Sequence, residues 1–138
     1  MSDLHRRIRS RGVTALEALV LLPVFLLLLL SILDMTRLLW TRSILSHAAR
    51  ETVRYATVHG SASDNPVNAS DLRQRFLQSS YAIDPAALTL TITPNWDEDS
   101  SPGTRFRLVA NYEFAFLWDV FAAPSFSLTV YAQSDVGP

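Results

Sequence analysis

The chain has 138 residues, no cysteine and a formal net charge of −1. That length leaves room for one modest domain beside a membrane element, and the missing thiols exclude disulfides and cysteine-held metal. Arg6, Arg7, Arg9 and Arg11 against Asp3 give residues 1–12 a net +3, so the remainder carries −4, which argues against nucleic acid as a partner.

The first element is the apolar run after Gly12. From Val13 to Leu33 only Thr14, Glu17, Pro23 and Ser31 depart from apolarity. At 1.5 Å per residue the run spans about 31 Å, close to the hydrocarbon thickness of a bilayer. The upstream arginines predict a cytoplasmic N-terminus with the rest of the chain sent across. An ordinary secretory signal peptide fits poorly, because Asp34-Met35-Thr36-Arg37-Leu38-Leu39-Trp40 offers no small-x-small cleavage site. A plain single-pass anchor accounts for the run but not for Glu17. A carboxylate at membrane depth costs a few kcal/mol, and such residues mark function. Pro23 removes a backbone donor and crowds the carbonyl of Leu19, which predicts a bend or a softened turn. An ordinary kink and a device for repacking helices both fit it.

The helical pattern continues past the apolar run. Asp34 to Val58 contains no Gly or Pro, and Leu38, Leu45, Ala49, Val53 and Ala56 form one apolar stripe. Arg37, Arg42, Arg50 and Arg54 lie mostly off it. Gly60 and the polar residues after it predict the stop. The result is one helix of about 45 residues, apolar all round at first and amphipathic afterwards. A short second helix is predicted from Asp71 to Tyr81, capped by Ser70, with Leu72, Phe76 and Leu77 buried. After Pro85 the period becomes two: Leu88 to Thr93 alternates, and Phe106–Phe114 and Phe126–Ala132 are rich in aromatic and β-branched residues. Pro94–Gly103 and Leu117–Pro124 read as connectors. The expected fold class is α+β: a long, partly transmembrane N-terminal helix on a small three-stranded antiparallel sheet, with one short extra helix.

Three segments together resemble the TadE-like family, minor pilins or pseudopilins of tight-adherence (Flp) pilus systems. Arg11-Gly12-Val13-Thr14-Ala15-Leu16-Glu17-Ala18-Leu19-Val20-Leu21-Leu22-Pro23 is similar to the family's Arg-Gly step, acid, and leucine-rich run with proline. Ala48-Ala49-Arg50-Glu51-Thr52-Val53-Arg54-Tyr55-Ala56 is similar to its Ala-Ala-Arg-Glu-Gly-Ala-Arg-Tyr-Ala stretch. A Tyr-x-Phe element at Tyr112–Phe114 and a last strand running into Ala132-Gln133-Ser134 match more weakly. Ala18 stands where the family often has phenylalanine, Thr52 where it has glycine, and Ser134 lacks the common Met-Arg after it.

The resemblance implies processing between Gly12 and Val13 by a prepilin peptidase. It also implies a new N-terminal amine that meets Glu17 of a neighbouring subunit. A buried ion pair need not stabilise, but a mismatched one is costly, so Glu17 reads as setting register between subunits. The implied organisation is a leader at 1–12, a transmembrane and assembly half of the helix at 13–37, and an extracytoplasmic domain at 38–138. Implied partners are the peptidase, other pilins, the inner-membrane assembly platform and membrane lipid. A bacterial inner-membrane, single-pass location follows, with the domain periplasmic or incorporated in a pilus. Ala48, Ala49, Arg50, Glu51, Arg54 and Tyr55 read either as packing against the sheet or as a recognition surface.

Other features carry little chemistry. Asp97-Glu98-Asp99 invites calcium, but consecutive acids cannot all face one ion and no EF-hand spacing is present. His47 and His59 lack partners at ligand spacing. Asn68-Ala69-Ser70 matches a glycosylation sequon and reads better as a helix cap. Trp96, beside the acids, is either an exposed contact residue of a tip adhesin or a loop aromatic folded under. With no phosphate loop, nucleophile elbow or paired catalytic acids, the expectation is a non-enzyme that needs no cofactor, metal or small-molecule substrate. The alternative to a minor pilin is an uncleaved, membrane-anchored envelope binding module.

Overall fold

A computed structural model describes residues 2–117 and 126–137, the backbone alone for 2–15. Helix α1 runs Ser2–Val58 with Pro23 inside it, eleven residues further upstream than the apolar run alone predicts. The arginine-rich start is made of good helix formers, and one glycine costs a helix only about 1 kcal/mol, too little to stop it at Gly12. The chain divides into two compact units, residues 1–36 and 37–138.

In the first unit α1 is bare. Its leucines, valines and phenylalanine from Leu16 to Leu33 are 37–68% exposed. The segment is long and apolar enough to cross a membrane. Its hydroxyls are satisfied within the helix, Ser31 Oγ donating to the Leu27 carbonyl at 2.8 Å and Thr36 Oγ1 to that of Ile32 at 2.9 Å. Back-bonding of this kind lets Ser and Thr sit in an apolar run without an orphan donor.

In the second unit the rest of α1 buries Leu45, Ala48, Ala49, Thr52, Val53 and Ala56, a stripe at helical spacing. Strands β1 (Leu88–Thr93), β2 (Arg105–Phe114) and β3 (Phe126–Asp135) form an antiparallel sheet in the order β1-β2-β3. Register pairs Ala110 with Leu90 on one side and Val130 on the other. Because side chains alternate across a strand, Phe106, Leu108, Ala110, Leu128 and Val130 share the face turned to the core, and α1's stripe belongs to the same cluster. The opposite face is polar: Thr129 donates to Asn111 Oδ1 at 2.7 Å, and Arg107 lies over the Tyr131 ring at 5.4 Å. The α+β class, the three strands and the antiparallel pairing are as the sequence predicts. Past Leu117, the expected connector Leu117–Pro124 falls outside the described residues.

Helix α2 (Ala69–Ser79) begins two residues earlier than expected, and its cap is Asn68 rather than Ser70. Asn68 Oδ1 accepts from the Asp71 amide at 2.9 Å while Asp71 Oδ2 accepts from the Asn68 amide at 3.1 Å, a reciprocal capping box that Ser70 is two residues too late to make. Leu72 and Phe76 are buried as expected; Leu77 is half-buried. Gly60 follows the end of α1, but its role is space. A Cβ there would lie 2.5 Å from Val136 Cγ1 and 3.0 Å from the Ser100 carbonyl. The chain end is tied in beside it, Gly137 N–H donating to the Thr57 carbonyl at 3.1 Å.

Candidate functional site

The backbone of α1 is helical through Gly12 and Val13, with Glu17 and Pro23 on the following turns. Glu17 is exposed on the bare apolar surface, and no cation pairs with it among the described side chains. A carboxylate so placed is unsatisfied wherever lipid surrounds it. A partner would have to come from outside the described part of the chain. Pro23 leaves the Leu19 carbonyl without its usual helical donor, since proline has no N–H. Asp34, at the end of the run, is only 2% exposed. The hydrophobic pattern gave no sign of that, because it marked the position only as a break in apolarity.

The second motif separates by helix face. Ala48, Ala49, Thr52, Val53 and Ala56 are fully or almost fully buried. The alanines are small, and they share one buried cluster with the inner residues of the sheet. Glu51 and Tyr55 sit half-buried at the edge of that face and meet α2. Arg75 donates to Glu51 Oε1 at 3.1 Å and lies over the Tyr55 ring at 5.1 Å. Tyr55 in turn stacks on His59 at 4.2 Å, and His59 Nδ1 sits 3.0 Å from the Tyr55 carbonyl. Glu51 and Tyr55 therefore dock α2 on α1, a role that α1's own sequence could not show because Arg75 lies 24 residues on. Arg50 and Arg54 face solvent, as does His47. Most of this motif is buried or half-buried, and the two arginines are what it leaves presented.

Trp96 is not an exposed contact. It is 1% exposed, its Nε1 donates to the Val67 carbonyl at 2.7 Å, and its ring meets Phe106 edge-on at 4.9 Å. The three neighbouring acids diverge. Asp97 Oδ1 accepts from the Ala69 amide at 2.8 Å and Glu98 Oε1 from Asn95 Nδ2 at 2.7 Å. Asp99 accepts from the hydroxyls of Ser101 at 2.6 Å and Thr104 at 3.0 Å. Those two hydroxyls, with the Ser101 amide, hold the Asp99 carboxyl below its ordinary pKa. Asp97 thus ties the connector to the start of α2, while Glu98 and Asp99 organise the connector and its exit.

These features define a class: a protein whose N-terminal helix is long and apolar enough to cross a membrane and continues into the core of a small α+β unit. Residues 12–54 match the family model described as TadE-like protein, the family that the sequence motifs resemble. It is a structural family associated with tight-adherence pili. The matched segment contains Gly12, Val13, Glu17, Pro23 and the motif from Ala48 to Arg54, and leaves the sheet outside. No curated protein and no solved structure matches the chain.

Proposed function

We propose that the protein is a minor pilin or pseudopilin of a tight-adherence pilus or a related secretion apparatus. A prepilin peptidase removes residues 1–12, and the product takes part in initiating, capping or regulating assembly. The observation that carries this reading is the family match over 12–54, which joins the Gly12–Glu17 junction to the packing motif in one helix. The protein works by placement rather than catalysis. Arg6, Arg7, Arg9 and Arg11 keep the N-terminus in the cytoplasm, and α1 anchors the chain in the bacterial inner membrane with the α+β unit outside. Cleavage needs α1 to unwind locally around Gly12, and glycine lowers the cost of that step. Glu17 then receives the new amine of a sister subunit, which fixes axial register, because a mismatched buried charge is expensive. Pro23 softens the helix where neighbours must repack.

The test is recovery of the chain with purified pili or the assembly platform from cells carrying wild type or Glu17→Val. Wild type is expected in the assembly fraction. The variant is expected to insert and be cleaved yet be lost from that fraction at least tenfold. Equal recovery of the two would refute the register role.

A further inference from the structure

We propose that the end of the α+β unit where α1 enters carries a lipid-facing collar. Its parts are Leu39 and Trp40 of α1, Leu117 after β2, and Phe126 at the start of β3. The collar sits in the headgroup layer of an anionic bilayer. The inference rests on the membrane-anchor reading and adds to it a contact surface on the folded unit itself.

Large apolar side chains are bare here although a core was available to take them. Trp40 is 56% exposed, Leu39 and Leu117 53%, and Phe126 48%. Contacts within the unit gather them at one end. Arg37, its first residue, holds its guanidinium 5.3 Å from the centre of the Phe114 ring. Phe114 pairs with Phe126 across the β2–β3 ladder and meets Phe116 edge-on at 5.3 Å. Leu117 follows Phe116, and Trp40 lies one helical turn beyond Arg37. Phe114 is buried, and through its contacts with Arg37, Phe116 and Phe126 it ties the start of the unit's helix to the strand ends that carry Leu117 and Phe126. Isolated exposed leucines need no explanation, but a grouped set of this size marks a contact.

Position and chemistry select lipid as the occupant. Trp40 is only seven residues past Leu33 in the sequence, about 10 Å of helix. Helical side chains lean toward the N-terminus, which brings the indole back toward a headgroup layer about 5–8 Å deep. Tryptophan concentrates at that depth, its ring apolar and its N–H wet. Arg42, exposed two residues after Trp40 on α1, suits anionic headgroups. Among the described residues of this unit, the exposed aromatics away from this end are tyrosines, Tyr81 and Tyr131, whose hydroxyls suit water.

The chain lacks cysteine, so single nitroxide labels can be placed by Leu39→Cys, Phe126→Cys, Phe25→Cys and Tyr131→Cys. Each is reconstituted at one copy per nanodisc of mixed neutral and anionic lipid. Collision with oxygen and with a water-soluble nickel complex reports depth. Labels at 39 and 126 are expected to be several-fold less accessible to nickel than the label at 131, with 25 in hydrocarbon. Full nickel access at 126 with 25 still buried would overturn the collar and leave the anchor standing. Full access at 25 as well would overturn both. Protection at 126 only in discs holding several copies would overturn lipid as the occupant and assign the surface to a neighbouring subunit. A second measurement avoids labels: brominated lipid is expected to quench the wild-type tryptophan fluorescence more than that of Trp40→Phe, and equal quenching would overturn the proposal.

Discussion

Replacing Trp96 with phenylalanine removes one donor and part of a ring from a buried site. The indole N–H is 2.7 Å from the Val67 carbonyl. Phenylalanine leaves that acceptor without its partner, at about 1–3 kcal/mol. The smaller ring also withdraws contacts around Phe106 and leaves a partial cavity, which adds about 1 kcal/mol. The sum is about 2–4 kcal/mol. In a unit of this size 1 kcal/mol moves the melting temperature by about 4–8 °C, so a fall of at least 8 °C is expected. Near-UV circular dichroism of the full chain in nanodiscs would follow the melt. Tyr81→Phe serves as the control: its side chain is exposed, and the change should stay within about 4 °C. A Trp96→Phe melt within about 3 °C of wild type would refute the burial and the hydrogen bond together.

Three further outcomes follow from particular contacts. Thr52 is fully buried and its Oγ1 has no partner among the described residues. Thr52→Val, nearly isosteric, should therefore raise stability by about 1 kcal/mol in the same melt, and a loss would show that the hydroxyl is satisfied. Gly60→Ala drives a Cβ to within 2.5 Å of Val136 Cγ1 and should cost about 1–3 kcal/mol. Adding Val136→Ala should relieve part of that penalty, so strict additivity of the two changes would refute the clash. Asp99 has a lowered folded-state pKa. The stability that its loop gains is therefore present above the unfolded value, near pH 4, and is lost as pH falls through the lower folded value. The Ser101 and Thr104 NMR resonances should titrate with a midpoint below 3.8, and Asp99→Asn should abolish the transition. A midpoint at or above 3.8 would contradict the hydrogen bonds.

The α+β class was legible because its signals are periodic. The 3.6 spacing of Leu45, Ala49, Val53 and Ala56 and the alternation of Leu88 to Thr93 each report which side of an element is buried. The motifs around Gly12, Glu17 and Ala48 lie in the segment 12–54 that the TadE-like family model matches. What stayed hidden depends on partners distant in sequence. Trp96 could not be assigned to the core until the carbonyl of Val67 came within reach. Gly60 reads as a helix stop, yet it is required by Val136, 76 residues later. Asn68 and Ser70 are both good capping residues, and only the reciprocal bond to Asp71 distinguishes them. Helix α1 begins before the apolar run because the single weak helix former there, Gly12, costs too little to stop a helix, whereas hydropathy changes sharply at that point.

The most direct test of the central claim is the mass of the chain recovered from native membranes, with and without the cognate prepilin peptidase. Loss of residues 1–12 only when the peptidase is present is the predicted result, and it would establish the processing on which the assembly role depends. An intact N-terminus under both conditions would contradict that account and leave a membrane-anchored binding module as the better description.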